Sequence, residues 1–450
     1  MKIPFISGEG PDGYLPVNLY FSPKKIYGRD ALVGRPGLLE FADTGSSAKI
    51  RAMCATKTSC FAISGNSLCE IDAFGNSNSV GTLLHSVGTA WMEWNGSQIG
   101  IVDNGVFYVY ENDTLTKIDN DGLSFNPGSL CFESGYFLAH ESDSENFFES
   151  SLYDGTDWNE LDYAITSVKP DKLFCVYATN GRVYAFGKQS GEVYYNSGGS
   201  SFSFSKIQGG NIPCGISSEK GVGDFNGTLI GLNNNGVVVQ FSTTPVKLSN
   251  EHVDRAIENM EKTNDATGFV FSMAGHTFFV LTFPAGNKTF VLDLTSKHWY
   301  EWRTGTGRWR PNCYVKCYGK HLVGDYTNGK IYELSQTTYS DDGDEITFQR
   351  TASVQKDSNF YTFSTIELEQ EGGVGLSTGQ GSDPKVVLQY SADKGKTWSP
   401  EKWRDIGKAG KYKQRVLWRR IGRHRHLTVK ITVTDPVKVV WTGMYINDNG

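Results

Sequence analysis

The chain has 450 residues, a formal net charge of −6, 51 glycines, 13% aromatic and 38% hydrophobic residues. That length excludes one small domain, and abundant glycine and aromatic residues in polar, turn-rich sequence select an all-β chain. The acidic balance excludes a general DNA binder, because an acidic surface repels phosphate.

The opening stretch MKIPFISGEGPDGYLP (1–16) has no apolar run of the kind a signal peptide needs, so folding in a cytoplasm is expected. From about residue 50 to 340 one unit recurs: an apolar strand, a turn rich in Asn and Gly, and a second strand with Tyr, Val or Phe. IGIVDNGVFYVY (Ile99–Tyr110), LIGLNNNGVVVQF (Leu229–Phe241) and HLVGDYTNGKIYEL (His321–Leu334) are copies, and Cys60–Asp72 and Ala185–Tyr195 are looser ones. Asn104–Gly105, Asn235–Gly236 and Asn328–Gly329 predict two-residue hairpin loops, because Asn-Gly tolerates positive φ at both central positions. Turns near residues 65, 104, 145, 190, 235, 287 and 328 lie about 40 to 50 residues apart, the period of a four-stranded propeller blade. Such a sheet cannot bury both faces alone, so radial stacking must cover them. The reading is a β-propeller, seven blades favoured and six possible, with an irregular solenoid or two sandwiches as the alternative. GLLEFAD (Gly37–Asp43) is placed to complete the last blade.

One segment reads as a helix. SNEHVDRAIENMEK (249–262) offers Ser249 or Asn250 as cap and Val253, Ile257 and Met260 as an apolar stripe, an insertion packing on the propeller. The most apolar run, Gly268–Gly286, carries His276 and Pro284 and alternates as strands do, so no membrane span is expected. Trp299–Arg310 mixes tryptophan with arginine; it reads as blade-edge aromatics with solvated arginines, base stacking being the alternative.

SDDGDE (Ser340–Glu345) marks a boundary. The expected organisation is an N-terminal arm and closing strand (1–45), a propeller (46–340) and a C-terminal β-sandwich platform (341–450). Platform strands are predicted around 347–354, 360–371, 385–390, 416–433 and 437–446. Period-two alternation puts Leu427, Val429, Ile431 and Val433 on one face.

Motifs for chemistry are weak. Eight cysteines without a CxxC pair read as reduced, buried thiols. IDNDG (Ile118–Gly122) has Lys117 where a calcium loop needs an acid. His424 and His426 would share a strand face, but Arg423 and Arg425 beside them repel a metal ion. SADKGKTW (Ser391–Trp398) fits the Asp-box pattern of sialidase propellers. Asp393 bonds its own turn, Gly395 permits the bend and Trp398 packs beneath, which makes it a folding device. Asp393, Trp398 and Trp418 are accordingly platform-core candidates. The box keeps a propeller-type glycan-binding protein or glycoside hydrolase as the alternative function. No catalytic residue, metal site or cofactor is expected.

The charge is uneven. Residues 401–430 hold eleven Lys/Arg against Glu401 and Asp405, a net +9, which leaves −15 on the rest. Within RVLWRRIGRHRHLTVKITV, the arginines Arg415, Arg419, Arg420, Arg423 and Arg425 are candidates for a partner or subunit interface, since guanidinium forks to carboxylates and anchors interfaces. Contact with DNA, or a solvated strand face or internal salt bridges, is the alternative.

The C-terminal segment from Pro384 to Ile446 resembles the packaged-DNA stabilisation proteins, the tail hub or nozzle family of short-tailed bacteriophages. The RV-x-W-[RK]-R-[IL]-G-R core falls on Arg415, Val416, Trp418, Arg419, Arg420, Ile421, Gly422 and Arg423. TDPVKV (Thr434–Val439), YLPVN (Tyr14–Asn18) and Gly275–Trp302 agree with it. The resemblance implies a non-enzymatic virion protein assembled in the host cytoplasm. Six copies would form a ring below the portal and its adaptor, extending the DNA channel, retaining the genome and releasing it at infection. Spikes or fibres, and sometimes a needle, would be its further partners. DNA would pass without sequence-specific binding.

Overall fold

The structure is a computed structural model and describes residues 14–26, 28–118, 123–166, 171–354 and 359–449. Residues 1–13 of the opening stretch and 119–122 of the calcium-loop candidate lie outside the described residues.

Among the described residues seven sheets follow one another, six of them fully antiparallel and spanning 50–82, 90–117, 127–165, 173–212, 222–247 and 267–301 with four strands each in chain order. The seventh takes three strands from 311–335. Its next strand is Gly37–Asp43, antiparallel to Lys330–Ser335, with two short strands from 340–345 beyond. The innermost strand of the seventh sheet, Pro311–Cys317, packs on that of the first, Ile50–Ala55, and so closes a seven-bladed wheel.

The turns differ from the sequence expectation in an instructive way. Only Asn104–Gly105 of the three Asn-Gly pairs has positive φ at both residues, 48° and 91°, closing Asp103 onto Val106. At Asn235–Gly236 only Gly236 is positive, because the Asn233 side chain accepts from the Asn235 and Val237 amides, both at 3.0 Å, and builds a wider turn. Neither Asn328 nor Gly329 has positive φ. Gly329 is needed there because a Cβ would collide with the Thr44 side chain and the Ser46 carbonyl. The regular two-residue loops join the first two strands of the later blades. They are Ser134–Gly135, Asn180–Gly181, Asn226–Gly227, Ala274–Gly275 and Tyr318–Gly319, all with positive φ at both positions.

The helix is Glu251–Glu258, capped by Asn250, whose Oδ1 accepts from the Val253 amide at 2.8 Å. Val253 and Ile257 are buried against Leu281 and Phe290 of the sixth sheet. Among the described residues no helix is long and apolar enough to cross a membrane. All eight cysteines are free thiols, seven of them buried and Cys313 half-buried.

Trp299 does lie on the edge strand of the sixth sheet, His298–Glu301, but it is buried there, and Trp302 and Trp309 are fully buried outside any blade edge. Trp302 and Trp309 fill the wedge between the sixth and seventh sheets with Phe278, Val323 and Tyr332. Their arginines are not solvated either. Arg310 pairs with Asp344 at 2.6 Å and approaches Asp325 at 3.5 Å, and Arg308 is nine-tenths buried. The Arg308 and Trp309 amides donate to Asn287 Oδ1 and Thr289 Oγ1, which pins this loop against the sixth sheet.

Beyond the wheel lies a β-sandwich. One sheet runs in the order Leu19–Ile26, Arg29–Gly34, Val440–Asn449, Tyr361–Gln370, Val416–His424; the other runs Phe348–Val354, Leu427–Val433, Lys385–Ser391, Lys402–Asp405. The stretch read as one strand over 416–433 is two strands in different sheets, changing sheet at Arg425–His426. Trp418, Trp441, Ile366 and the face of Leu427, Val429, Ile431 and Val433 fill the space between them.

Candidate interaction surface

Val416–His424 is the outermost strand of its sheet. Alternation drives Val416, Trp418 and Ile421 inward and leaves Arg415, Arg419, Arg420, Arg423 and Arg425 exposed. The edge is closed at one end, where Arg404 Nε donates to the Leu417 carbonyl at 2.8 Å and Trp418 Nε1 donates to the Lys402 carbonyl at 2.7 Å. Past that point the strand bulges. Arg419 faces Thr365 and Gly422 faces Phe363, so Arg420 and Ile421 together oppose Ser364. Arg420 has φ 60° and Gly422 φ 111°. A left-handed arginine is held at a cost of roughly 1 kcal/mol, and bulges re-aim side chains and blunt an edge against unwanted pairing.

The five arginines are not equivalent. Arg415 forks onto Glu367, Nε to Oε1 and Nη2 to Oε2, both at 2.8 Å, and that hydrogen-bonded pairing lowers the Glu367 pKa. Arg423 and Arg425 lie over the Phe360 ring at 5.6 and 4.9 Å, a cation–π pair on one half-exposed ring. Arg419 and Arg420 have no ion pair among the described residues. His424 does not share a face with His426. The strand ends there, and His424 Nε2 lies 3.0 Å from the Ile421 carbonyl while its ring stacks on Phe363. Among the described residues no three His, Cys, Asp or Glu side chains gather as metal ligands.

Of the platform-core candidates only Trp418 lies in the core, at 0% exposure. Trp398 is half-buried, with Lys430 Nζ 4.3 Å from its ring centroid; the hairpin that carries it stands at the sheet surface. Asp393 is half-buried too. Its Oδ1 accepts from the Ser391 hydroxyl at 2.6 Å and the Thr397 amide at 2.9 Å, and its Oδ2 accepts from the Thr397 hydroxyl at 2.6 Å. Those bonds hold the carboxyl far below its usual pKa. Both oxygens therefore serve the turn itself.

Sequence reasoning missed a joint between wheel and sandwich. Arg35 and Asp341 form a fully buried ion pair at 2.6 Å. Arg35 Nε also donates to Asn18 Oδ1, and Asn18 Nδ2 donates to the Thr347 carbonyl, each at 2.9 Å. The Asn18 amide donates to the Glu301 carbonyl of the sixth sheet at 2.9 Å. Only the place of Asn18 in YLPVN hinted at this role.

Two family models match the chain: bacteriophage P22 Gp10, beta-propeller, over residues 1–339, and bacteriophage P22 Gp10, beta-sandwich, over residues 347–448. The chain belongs to the bacteriophage P22 Gp10 family. It is thus a phage structural protein, a component of the virion tail. No curated protein sequence matches it. Among solved structures it is similar to the computationally designed Ika8 protein (9% identity, TM-score 0.43, 66% of this chain and 99% of that one) and to BamB from Moraxella catarrhalis (12%, 0.40, 70% and 94%).

Proposed function

We propose that this tail protein is a nozzle subunit. Copies of it, six in the family's arrangement, form a ring below the portal-adaptor, retain the packaged DNA and line part of the ejection channel. The sandwich with the N-terminal arm acts as the platform, the propeller projects from it, and spikes, fibres or a needle attach to the ring. The role is geometric rather than catalytic. An acidic body suits it, since each Lys or Arg that grips a phosphate adds affinity the moving genome must break.

The observation that carries this reading is the bulged edge strand, with Arg419 and Arg420 exposed and without an acid partner among the described residues. Exposed guanidinium on an edge strand fits a carboxylate-bearing neighbour, either a second subunit or the adaptor. The double variant Arg419→Glu/Arg420→Glu should remain monomeric in native mass measurement and fail to join the adaptor, with its melting curve unchanged. Rings that form as in the parent would refute the interface role. Binding of duplex DNA that weakens steeply with salt, and is lost in the same variant, would reassign the strand to DNA.

A further inference from the structure

Around the propeller axis, the loops leading into the innermost strands bound a cavity of about 790 Å³, within the range of small-molecule sites. Nothing in the assembly role uses it. One wall is aromatic: Trp91 and Tyr177 line it, and Lys220 Nζ sits 3.4 Å from the Trp91 ring centroid. Glu93 and Glu219 face that lysine, and burial raises both carboxyls, Glu93 to about 7.

The other wall is cationic. Lys49 and Arg308 stand on the loops before the first and seventh sheets, next to Arg51. Arg51 is already spent, paired with Asp103 at 2.5 Å with both side chains fully buried. Lys49 has no ion pair among the described residues, and burial together with Arg51 and Arg308 lowers its pKa. Arg308 is 9% exposed, and its Nη1 is buried with no acceptor; Trp91 Nε1 in the facing wall is orphaned in the same way. Asp265 offsets one of the two cations and also keeps one buried oxygen unpartnered. Buried polar groups are almost always satisfied, so unpartnered donors on two residues that line one cavity point to an acceptor missing beside it.

We infer that the axial cavity binds a small hydroxylated organic anion, a sugar acid or sugar phosphate. Its anionic group would accept from Lys49 and Arg308, and a hydroxyl would reach Glu93.

Calorimetric titration of the full chain with glucuronate, glucose 6-phosphate, glucose and inorganic phosphate tests this without ring or adaptor. Saturable binding of glucuronate or glucose 6-phosphate, weaker for glucose, is expected; which of the two binds tells carboxylate from phosphate. Lys49→Gln and Arg308→Gln should each weaken it about tenfold or more, the loss of one charge-assisted hydrogen bond. The edge-strand double variant should bind as the parent does. Lys49 is half-buried, so K49Q keeps the test valid if R308Q melts early. No saturable binding by any probe, inorganic phosphate as tight as glucose 6-phosphate, or affinity unchanged in both variants would each overturn the proposal.

Discussion

The imidazole of His140 is held neutral by its surroundings. It is 4% exposed, and its Nδ1 lies 2.7 Å from the Ser129 hydroxyl. That hydroxyl accepts from the Val176 amide at 2.9 Å and has no other acceptor among the described residues, so it donates to Nδ1, which must be unprotonated. Burial lowers the pKa to about 4 from 6.5. The unfolded chain therefore takes up a proton as pH falls through 6.5, while the folded chain resists it until about 4. The contribution is complete above 6.5 and is lost on acidification through that window, about 3 kcal/mol in all. Urea titrations at steps between pH 7 and 4 should show this decline, and His140→Gln should flatten it while lowering stability at neutral pH. An unchanged slope in the variant would place the acid sensitivity elsewhere. Residues of this kind are poorly legible in sequence. Nothing local marks His140 as core, and nothing marks Arg35 as the partner of Asp341, 306 residues away. Both depend on which strands the fold brings together, as does the burial of Trp302 and Trp309.

Elements were legible where the signal was periodic. The spacing of Asn- and Gly-rich turns gave the blade period, and the alternation from Leu427 to Val433 gave a strand face that the structure fills with core. The Asn-Gly dipeptide marks only part of the turn chemistry. The structure uses a left-handed pair whose second member is glycine, at 134, 180, 226, 274 and 318, intervals of 46, 46, 48 and 44 residues. Only two of these five pairs are Asn-Gly, so a search for that dipeptide misses three blades. Ala274 is the weakest member, with φ 55° and no side chain to stabilise it. Alanine in the left-handed region costs about 1 kcal/mol, and asparagine is the residue that tolerates it. Ala274→Asn should stabilise the sixth sheet by roughly 0.5 to 1 kcal/mol, read as a higher denaturation midpoint; a lower one would show that this turn is not limited by its backbone. The sheet change at Arg425–His426 left no such signature. Charged residues on both sides of the break hid it.

At the scale of the whole molecule, one short segment binds the two folded bodies. Between Tyr14 and Asp43 the chain supplies two strands to the sandwich, the strand next to Lys330–Ser335 in the seventh sheet, and the Asn18–Arg35 joint between them. Val17 exchanges backbone hydrogen bonds with Gln349 at 2.9 and 3.1 Å, while Asn18 and Pro16 bond to Glu301 of the sixth sheet. Removing residues 1–45 therefore exposes an open edge on each body and leaves Asp341 buried without its guanidinium. An uncompensated buried charge alone costs about 3 to 5 kcal/mol. Together with the lost strands this exceeds the roughly 5 to 15 kcal/mol that holds a domain folded. A chain beginning at residue 46 should accumulate as insoluble protein, and co-expression of residues 1–45 as a separate peptide should rescue part of it. A soluble 46–450 chain melting within a few degrees of the parent would show that wheel and sandwich each close without the arm. If the rescue succeeds, the same strands that complete the wheel also fix how the arginine edge is presented, so the proposed ring assembly would depend on the arm as strictly as folding does.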